Sequence, residues 1–407
     1  MAIRIKAIKF NHLPGSMNTD ALEIRKNKLT AISVPEWVDG ISTLAQDSLV
    51  AYAMRETQGN TITIQARFES TDTSNFSVTI RAIDPVTNPP EPHGCIAWLL
   101  WFLRKIFIAL FGNVLGEVKA RTVNFVNGQS NYETFELLHP RFWNTGVGVY
   151  FTEWQWQHRT RKEHARKKWF NMQRTNHKVY ILLEAPTSPW NQVAGSNQLP
   201  WTEALEYGCT WAKGAKTRDE AATKITESIY NLGPSRIEYD CPGGGSSHYS
   251  AGSFNCTKFL ERLSGGLGNG KYVNCSDCAT IVSSFANLIG CDLWQSRMGG
   301  FYFQLNNIRG IGSSVWTTAC NNWGGFSYHE VAWKGNCTEQ DQIFDGCLQV
   351  DGDSDPMTAP HTPLLPTNMV FGDCTTMNYR LRLTPNTPAG CGSCNAQPST
   401  RVRRVII

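Results

Sequence analysis

Tyr272-Val-Asn-Cys275-Ser-Asp-Cys278-Ala-Thr-Ile-Val282-Ser-Ser-Phe285-Ala-Asn-Leu-Ile289-Gly-Cys291 is the stretch from which the rest of this 407-residue chain can be read. Cys278, Val282, Phe285 and Ile289 recur at steps of 4, 3 and 4, which places them on one face of a helix. Asn274 and Ser276 are both good N-cap residues, Asp277 suits the first turn and Gly290 the C-terminal stop. The helix is therefore expected to begin close to Cys275 and to bury its 282/285/289 face. A thiol at a helix start lies among unpaired N–H groups and at the positive end of the dipole, both of which favour the nucleophilic thiolate. Cys275 is the candidate nucleophile.

A nucleophile needs a base, and the base an orienting group. Downstream, Phe326-Ser-Tyr-His329-Glu-Val-Ala-Trp333 alternates His329, Val331 and Trp333 on one face of a strand. Gln342-Ile-Phe-Asp345-Gly-Cys-Leu-Gln-Val-Asp351 alternates again, predicting a second strand that carries Asp345. The short connection Lys334 to Gln340 suits antiparallel pairing, which would bring His329 and Asp345 together. Cys on a helix start with His and Asp on adjacent strands is the arrangement that thiol acyl transfer requires.

Cys275-x-Asp277-x-Ala279 opening a helix, followed by a strand His and then an aromatic-Asp pair, resembles the transglutaminase-like superfamily of papain-related folds, in its bacterial form. Ile229-Tyr-Asn-Leu and Ile237-Glu-Tyr239-Asp240 are similar to the segments that precede that family's catalytic helix. The resemblance spans roughly residues 186 to 380 and rests on order and spacing together. It implies Cys275 as nucleophile, His329 as general base and then acid, Asp345 as orienter, and Tyr239 as an aromatic helping the oxyanion. The implied activity is thiol-dependent acyl transfer on protein or peptide carboxamides through a thioester, with hydrolysis by a cysteine peptidase or deamidase preferred. A protein-crosslinking transglutaminase and an inactive scaffold or adhesion protein are the alternatives. No cofactor or metal is implied. Three departures stand against the family pattern. Cys278 occupies a position where the family carries an aromatic, and the usual His-x-Trp is His329-Glu-Val-Ala-Trp333. Asp351, 22 residues after His329 (351 − 329), competes as orienter with Asp345, 16 after (345 − 329). The aromatic-Asp-small run Phe344-Asp345-Gly346 favours Asp345.

Composition sets the frame. Hydrophobic residues make up 41% and charged ones 18%, as in a folded chain of two or so domains rather than a disordered one. A net charge of +4 gives no overall attraction to nucleic acid or acidic membrane. Of the thirteen cysteines only Cys95 precedes residue 209. The opening Met-Ala-Ile-Arg-Ile-Lys-Ala-Ile-Lys-Phe alternates like a strand and lacks the apolar core of a signal peptide, so a reducing cytoplasm with free thiols is the default expectation, with non-classical export as the alternative.

The expected fold class is α+β, an N-terminal Ig-like β-sandwich followed by a transglutaminase-like (papain-like) catalytic domain. The first domain, 1–185, reads as short strands at Ala2 to Phe10, Ser48 to Met54, Thr61 to Phe68, Phe76 to Ile83, Ala120 to Phe125, Val147 to Gln157 and Lys178 to Glu184. It carries an apolar helical insertion near 86–116. Its run 95–111 is apolar except at Arg104 and Lys105, which suits burial, an oligomer contact, or membrane or partner docking, the last including use by a delivered toxin. Arg159 to Lys168, flanked by tryptophans, is read as a solvated hairpin, with nucleic acid the minor alternative. The second domain, 186–407, begins at a linker near Glu184 to Trp190, continues through helices at Trp201 to Trp211 and Thr217 to Leu232, and ends in a Cys/Pro/Gly-rich tail. The pairs Cys275/Cys278 and Cys391/Cys394 are 119 residues apart end to end (394 − 275), far beyond a zinc ribbon. Asp351-Gly-Asp-Ser-Asp-Pro356 fails the calcium-loop pattern at positions six and twelve, so no metal is expected. Oligomeric state is left open by these patterns.

Overall fold

The computed structural model describes residues 2–13, 15, 18–85, 113–160, 168–191, 193–239, 247–266, 270–299, 302–318, 325–373, 375–385 and 396–407. The apolar run 95–111, the centre of the basic run (161–167) and the Cys391/Cys394 pair lie outside them. The fold is mixed α/β and mostly strand. Among the described residues no helix is long and apolar enough to cross a membrane. Contacts divide the chain into two compact units, one of Met1–Lys26, Thr30–Ala185 and Gln192–Gly195, the other of Asn27–Leu29, Pro186–Asn191 and Ser196–Ile407.

The first unit is built on nine strands: β1 (Ile3–Lys9), β2 (Trp37–Val38), β3 (Leu49–Ala53), β4 (Thr63–Ser70), β5 (Phe76–Ile83), β6 (Glu117–Phe125), β7 (Glu133–Leu138), β8 (Gly148–Arg159) and β9 (Phe170–Leu182). They pair in the order β2-β1-β4-β7-β6-β5-β8-β9-β3, with β3 parallel to β9. This is one hydrogen-bonded ladder rather than the two separate sheets expected of an Ig-like sandwich. Alternation still buries one side of β4 and of β8: Ile64, Ala66 and Phe68 face inward, as do Thr152, Trp154 and Trp156. Trp156 meets Phe68 and Phe135 edge-on at 5.6 and 5.9 Å between ring centres. Its indole N–H is satisfied by Thr175 Oγ1 at 3.1 Å, as a buried tryptophan requires. β9 starts eight residues earlier than the apolar pattern suggests, because the run Phe170–His177 pairs with β8 while burying only Thr175 and His177.

Two of the buried acids in this unit, Glu36 and Asp20, are held by backbone N–H groups. Glu36 accepts from Phe10 N–H and Asn11 N–H, both at 2.9 Å, and Asp20 from the N–H groups of His12 and Leu13. Burial raises Glu36 to about 7 and Asp20 to about 6, despite those N–H donors. A carboxyl whose folded pKa lies above its unfolded value holds extra protons in the folded state. Its stabilisation is complete below about pH 4 and is lost as pH rises through the folded values, here between about pH 4 and 7. For Glu36 the span is worth about 3 kcal/mol. Glu36→Gln should therefore flatten the fall in Tm between pH 4 and 7, whatever its offset; thermal melts across that range check it.

The second unit places its elements around one helix. Its helices are α1 (Thr202–Trp211), α2 (Arg218–Tyr230), α3 (Cys256–Leu263), α4 (Cys275–Leu288) and α5 (Tyr379–Leu383). The strands that concern the site are β10 (Glu238–Tyr239), β11 (Tyr272–Val273), β12 (Trp294–Met298), β13 (Ile308–Gly310), β14 (His329–Trp333), β15 (Gln342–Phe344), β16 (Leu348–Asp351) and β17 (Thr367–Val370). β12, β14, β15 and β17 form an antiparallel sheet in that order. All fourteen residues of α4 are buried, where the periodicity suggested one buried face. Its polar side chains make this possible by bonding locally: Thr280 and Ser283 hydroxyls return to the carbonyls of Ser276 and Ala279 at 2.6 and 2.8 Å. The segment read as a linker is anchored on α4, with Trp190 buried and its indole N–H on Ser284 O at 2.8 Å.

Candidate active site

The start of α4 is set by a capping box. Asn274 Oδ1 accepts from Asp277 N–H at 2.9 Å, and the Asp277 carboxylate reaches back towards the Asn274 N–H. Asp277 also takes the N–H groups of His248 and Tyr249 and the hydroxyls of Ser247 and Ser250. With Asn274 as cap, Cys275 becomes the first helical residue, and Ser276 turns to a different partner. Cys275 is 6% exposed, with a free thiol.

His329 opens β14 and is fully buried. Its Nε2 lies 3.0 Å from Asp345 Oδ2. Phe326 stacks on the imidazole at 5.2 Å with the planes 10° apart, which fixes the ring's orientation. His329 Nδ1 is buried without an aligned hydrogen bond, and the Cys275 thiol is the interacting group beside the ring. Burial by itself would lower the imidazole, but Asp345, by charge and hydrogen bond, and Cys275 outweigh it and raise His329 to about 10.

Asp345 does not sit on a strand. The alternating run Gln342 to Asp351 breaks into β15 and β16, which belong to different sheets, and Asp345 begins the turn between them. The turn is shaped by its own atoms: Asp345 Oδ1 accepts Cys347 N–H at 2.8 Å, and Asp345 N–H donates to Pro366 O at 2.8 Å. Gly346 lets the turn press on α4, since a Cβ there would come within 2.8 Å of Val282 Cγ2. The periodicity ran through this turn because the apolar residues on either side are both buried.

Asp351, the competing orienter, is not brought to His329. Its Oδ2 lies 2.6 Å from His361 Nδ1, while its Oδ1 accepts from Thr362 N–H and Asp353 N–H. β16 carries it into the sheet with β13, away from the pairing of β14 with β15. His361, which has no chemical context in sequence, thus gains a carboxylate and the Trp316 ring at 4.9 Å. Tyr239 lies on β10, parallel to β11, which leads directly into Asn274 and α4. Burial, then the charges of Cys347, Cys275, Cys278 and Asp345, raise its phenol well above the ordinary value, which places it among these groups.

Two contributors lie far off in sequence. Tyr379, buried on α5, donates its hydroxyl to Asp345 Oδ2 at 2.8 Å, the oxygen that faces His329. Beside Cys275, Ser276 Oγ donates to Glu330 Oε2 at 2.6 Å, and Glu330 is the strand neighbour of His329. Arg404 Nη2 donates to the same Oε2 at 3.0 Å, and Arg404 Nη1 to Thr280 Oγ1 and Gln295 Oε1. The only local signal for either was a buried-type Tyr and a basic residue in a stretch without periodicity. Tyr379→Phe removes one hydrogen bond to a buried carboxylate and should cost about 2 kcal/mol in urea unfolding, while alkylation of Cys275 falls less than in any His329 variant.

The described residues hold no group of three or more His, Cys, Asp or Glu side chains placed for a metal ion. A Ser48–His177 contact at 2.8 Å in the first unit is fully buried, and burial pushes His177 down to about 3. It is a neutral core pair with no path to a substrate.

No protein-family model matches the sequence, and no curated protein matches it. Among solved structures the chain is similar to red sea bream transglutaminase, at 10% identity over 76% of this chain and 50% of that one, with a TM-score of 0.34. The chain thus spans about half the length of that protein.

Proposed function

We propose that this chain is a thiol-dependent acyltransferase of transglutaminase-like, papain-related kind that acts on protein or peptide carboxamides, with hydrolysis as its reaction. The observation that carries the reading is His329 between Cys275 and Asp345, with Nε2 held at 3.0 Å by the carboxylate. Because Asp345 takes Nε2, Nδ1 is the nitrogen left to exchange a proton with the thiol. His329 takes the Cys275 proton as the sulfur attacks the carboxamide carbon. His329 then delivers the proton to the departing amine, and water hydrolyses the thioester with the roles reversed. Asp345 holds the ring, and Tyr379 holds Asp345. The charge interaction between Tyr239 and Cys275 supports a role for its phenol near the oxyanion. The first unit is assigned a scaffold role.

The burial of Cys275 favours a second reading, a fold kept for scaffolding or adhesion without turnover. One pair of measurements separates them. At about pH 6, where ordinary thiols are mostly protonated, wild type should take one fast iodoacetamide adduct that Cys275→Ala lacks. A glutamine-rich denatured protein incubated with the enzyme should then show amide-to-acid conversion or chain cleavage by mass spectrometry, with amine conjugates if a primary amine competes with water. No selective adduct and no product would establish the scaffold reading instead.

A further inference from the structure

Acyl transfer leaves two thiols of the site unused. Cys278 lies one helical turn after Cys275 on α4, and Cys347 two residues after Asp345. Both are free and are 1% and 0% exposed. The two thiols interact with each other and with Cys275. The backbone explains the closeness: the Asp345-Gly346-Cys347 turn is pressed against Val282, one turn beyond Cys278 on the same helix. Neighbouring sulfurs on a helix and on a turn packed against it need only a small approach to reach disulfide geometry.

We propose that Cys278 and Cys347 are an oxidative modification site, a disulfide formed when Cys275 meets hydrogen peroxide and passes the oxidation on, which returns the nucleophile to its working form. The proposal rests on the reading of Cys275 as an activated thiol. Cys275 is the point of entry because it alone of the three faces the imidazole and keeps some exposure. Cys278 and Cys347 are raised above the ordinary thiol, chiefly by burial for Cys347, and protonated thiols react poorly with peroxide.

The steps balance. Cys275 thiolate attacks one peroxide oxygen; the S–O bond forms as the O–O bond breaks, and the departing hydroxide takes the His329 proton as water. The Cys278 sulfur then attacks the Cys275 sulfenic sulfur, and hydroxide leaves with the Cys278 proton as a second water. Cys347 attacks the Cys278 sulfur, Cys275 departs as thiolate, and the Cys347 proton returns to His329. Two thiols and one peroxide become one disulfide and two waters. The new bond joins the helix of the nucleophile to the turn that positions His329.

The test uses the full chain. Reduced wild type and Cys347→Ser are first alkylated with iodoacetamide at about pH 6 to score Cys275. Parallel samples receive graded hydrogen peroxide, then alkylation, intact mass and disulfide mapping, each with and without dithiothreitol. Wild type should lose the mass of two hydrogens, show a Cys278–Cys347 peptide pair that dithiothreitol opens, and still alkylate at Cys275. Cys347→Ser should lose Cys275 alkylation at about a tenth of the peroxide dose, through a Cys275–Cys278 disulfide or further oxygen addition. A wild type that alkylates at Cys275 yet gains only oxygen there, with no Cys278–Cys347 pair, overturns this inference and leaves the acyl-transfer reading standing. A wild type that never alkylates selectively at Cys275 overturns both.

Discussion

His329→Gln will slow the alkylation of Cys275 by iodoacetamide at about pH 6 by roughly 10²-fold. The size follows from the thiolate fraction. A thiol of ordinary pKa, about 8.5, is less than about 1% thiolate at pH 6, whereas a thiol paired with an imidazolium is mostly ionised. Glutamine fills much of the space and can still donate to Asp345 Oδ2, so the buried carboxylate keeps a partner and the effect reads ionisation rather than collapse. The pH profile adds a second signature. His329 is raised to about 10, above its ordinary 6.5. Its stabilisation is thus complete below about pH 6.5 and is lost as pH rises towards 10. The glutamine variant should lack that alkaline loss in thermal melts while showing steeply rising alkylation from pH 6 to 9. An unchanged rate at pH 6 would mean that His329 does not act on Cys275.

Arg404→Met should cost about 3–5 kcal/mol in denaturant unfolding. Glu330 is 1% exposed. Burial would raise its carboxyl, but Arg404 first, then Ser276 and Arg297, hold it below the ordinary 4.5. Taking away Arg404 leaves the carboxylate with Ser276 and with the half-exposed Arg297, at 3.3 Å. The sign follows from the lowered pKa: this contribution is present above about pH 4.5 and fades as pH falls, so the variant's deficit should shrink in acid. Glu330→Gln with Arg404→Met removes both charges and should recover part of the loss, as a coupled pair does in a double-mutant cycle. Additive losses would show that the two side chains do not depend on each other. Since Ser276 and Glu330 adjoin Cys275 and His329, the same variants should slow Cys275 alkylation, though less than His329→Gln.

Local pattern determined much of this protein. The Asn274 and Asp277 cap, the start of α4 at Cys275, the strand at His329 and seven strands of the first unit follow from side-chain period and capping chemistry, which act over one turn or one pleat, whereas β2 and β7 do not. Other features had no local signal. The pattern Gln342 to Asp351 alternates through Asp345, yet the chain turns there because Gly346 admits α4 against it. That turn sends Asp351 to His361 and leaves Asp345 to His329. The burial of α4 on all sides came from elements packed around it, not from its own apolar stripe. Tyr379 is 34 residues from Asp345 and Arg404 is 74 from Glu330, so no short-range period could pair them. The one-dimensional pattern thus selected most of the elements and the candidate residues of the site. Only the packing of distant segments decided which carboxylate faces the imidazole, what holds it, and which thiols share the site, because a buried polar group takes its partner from whatever the tertiary fold brings within hydrogen-bond reach.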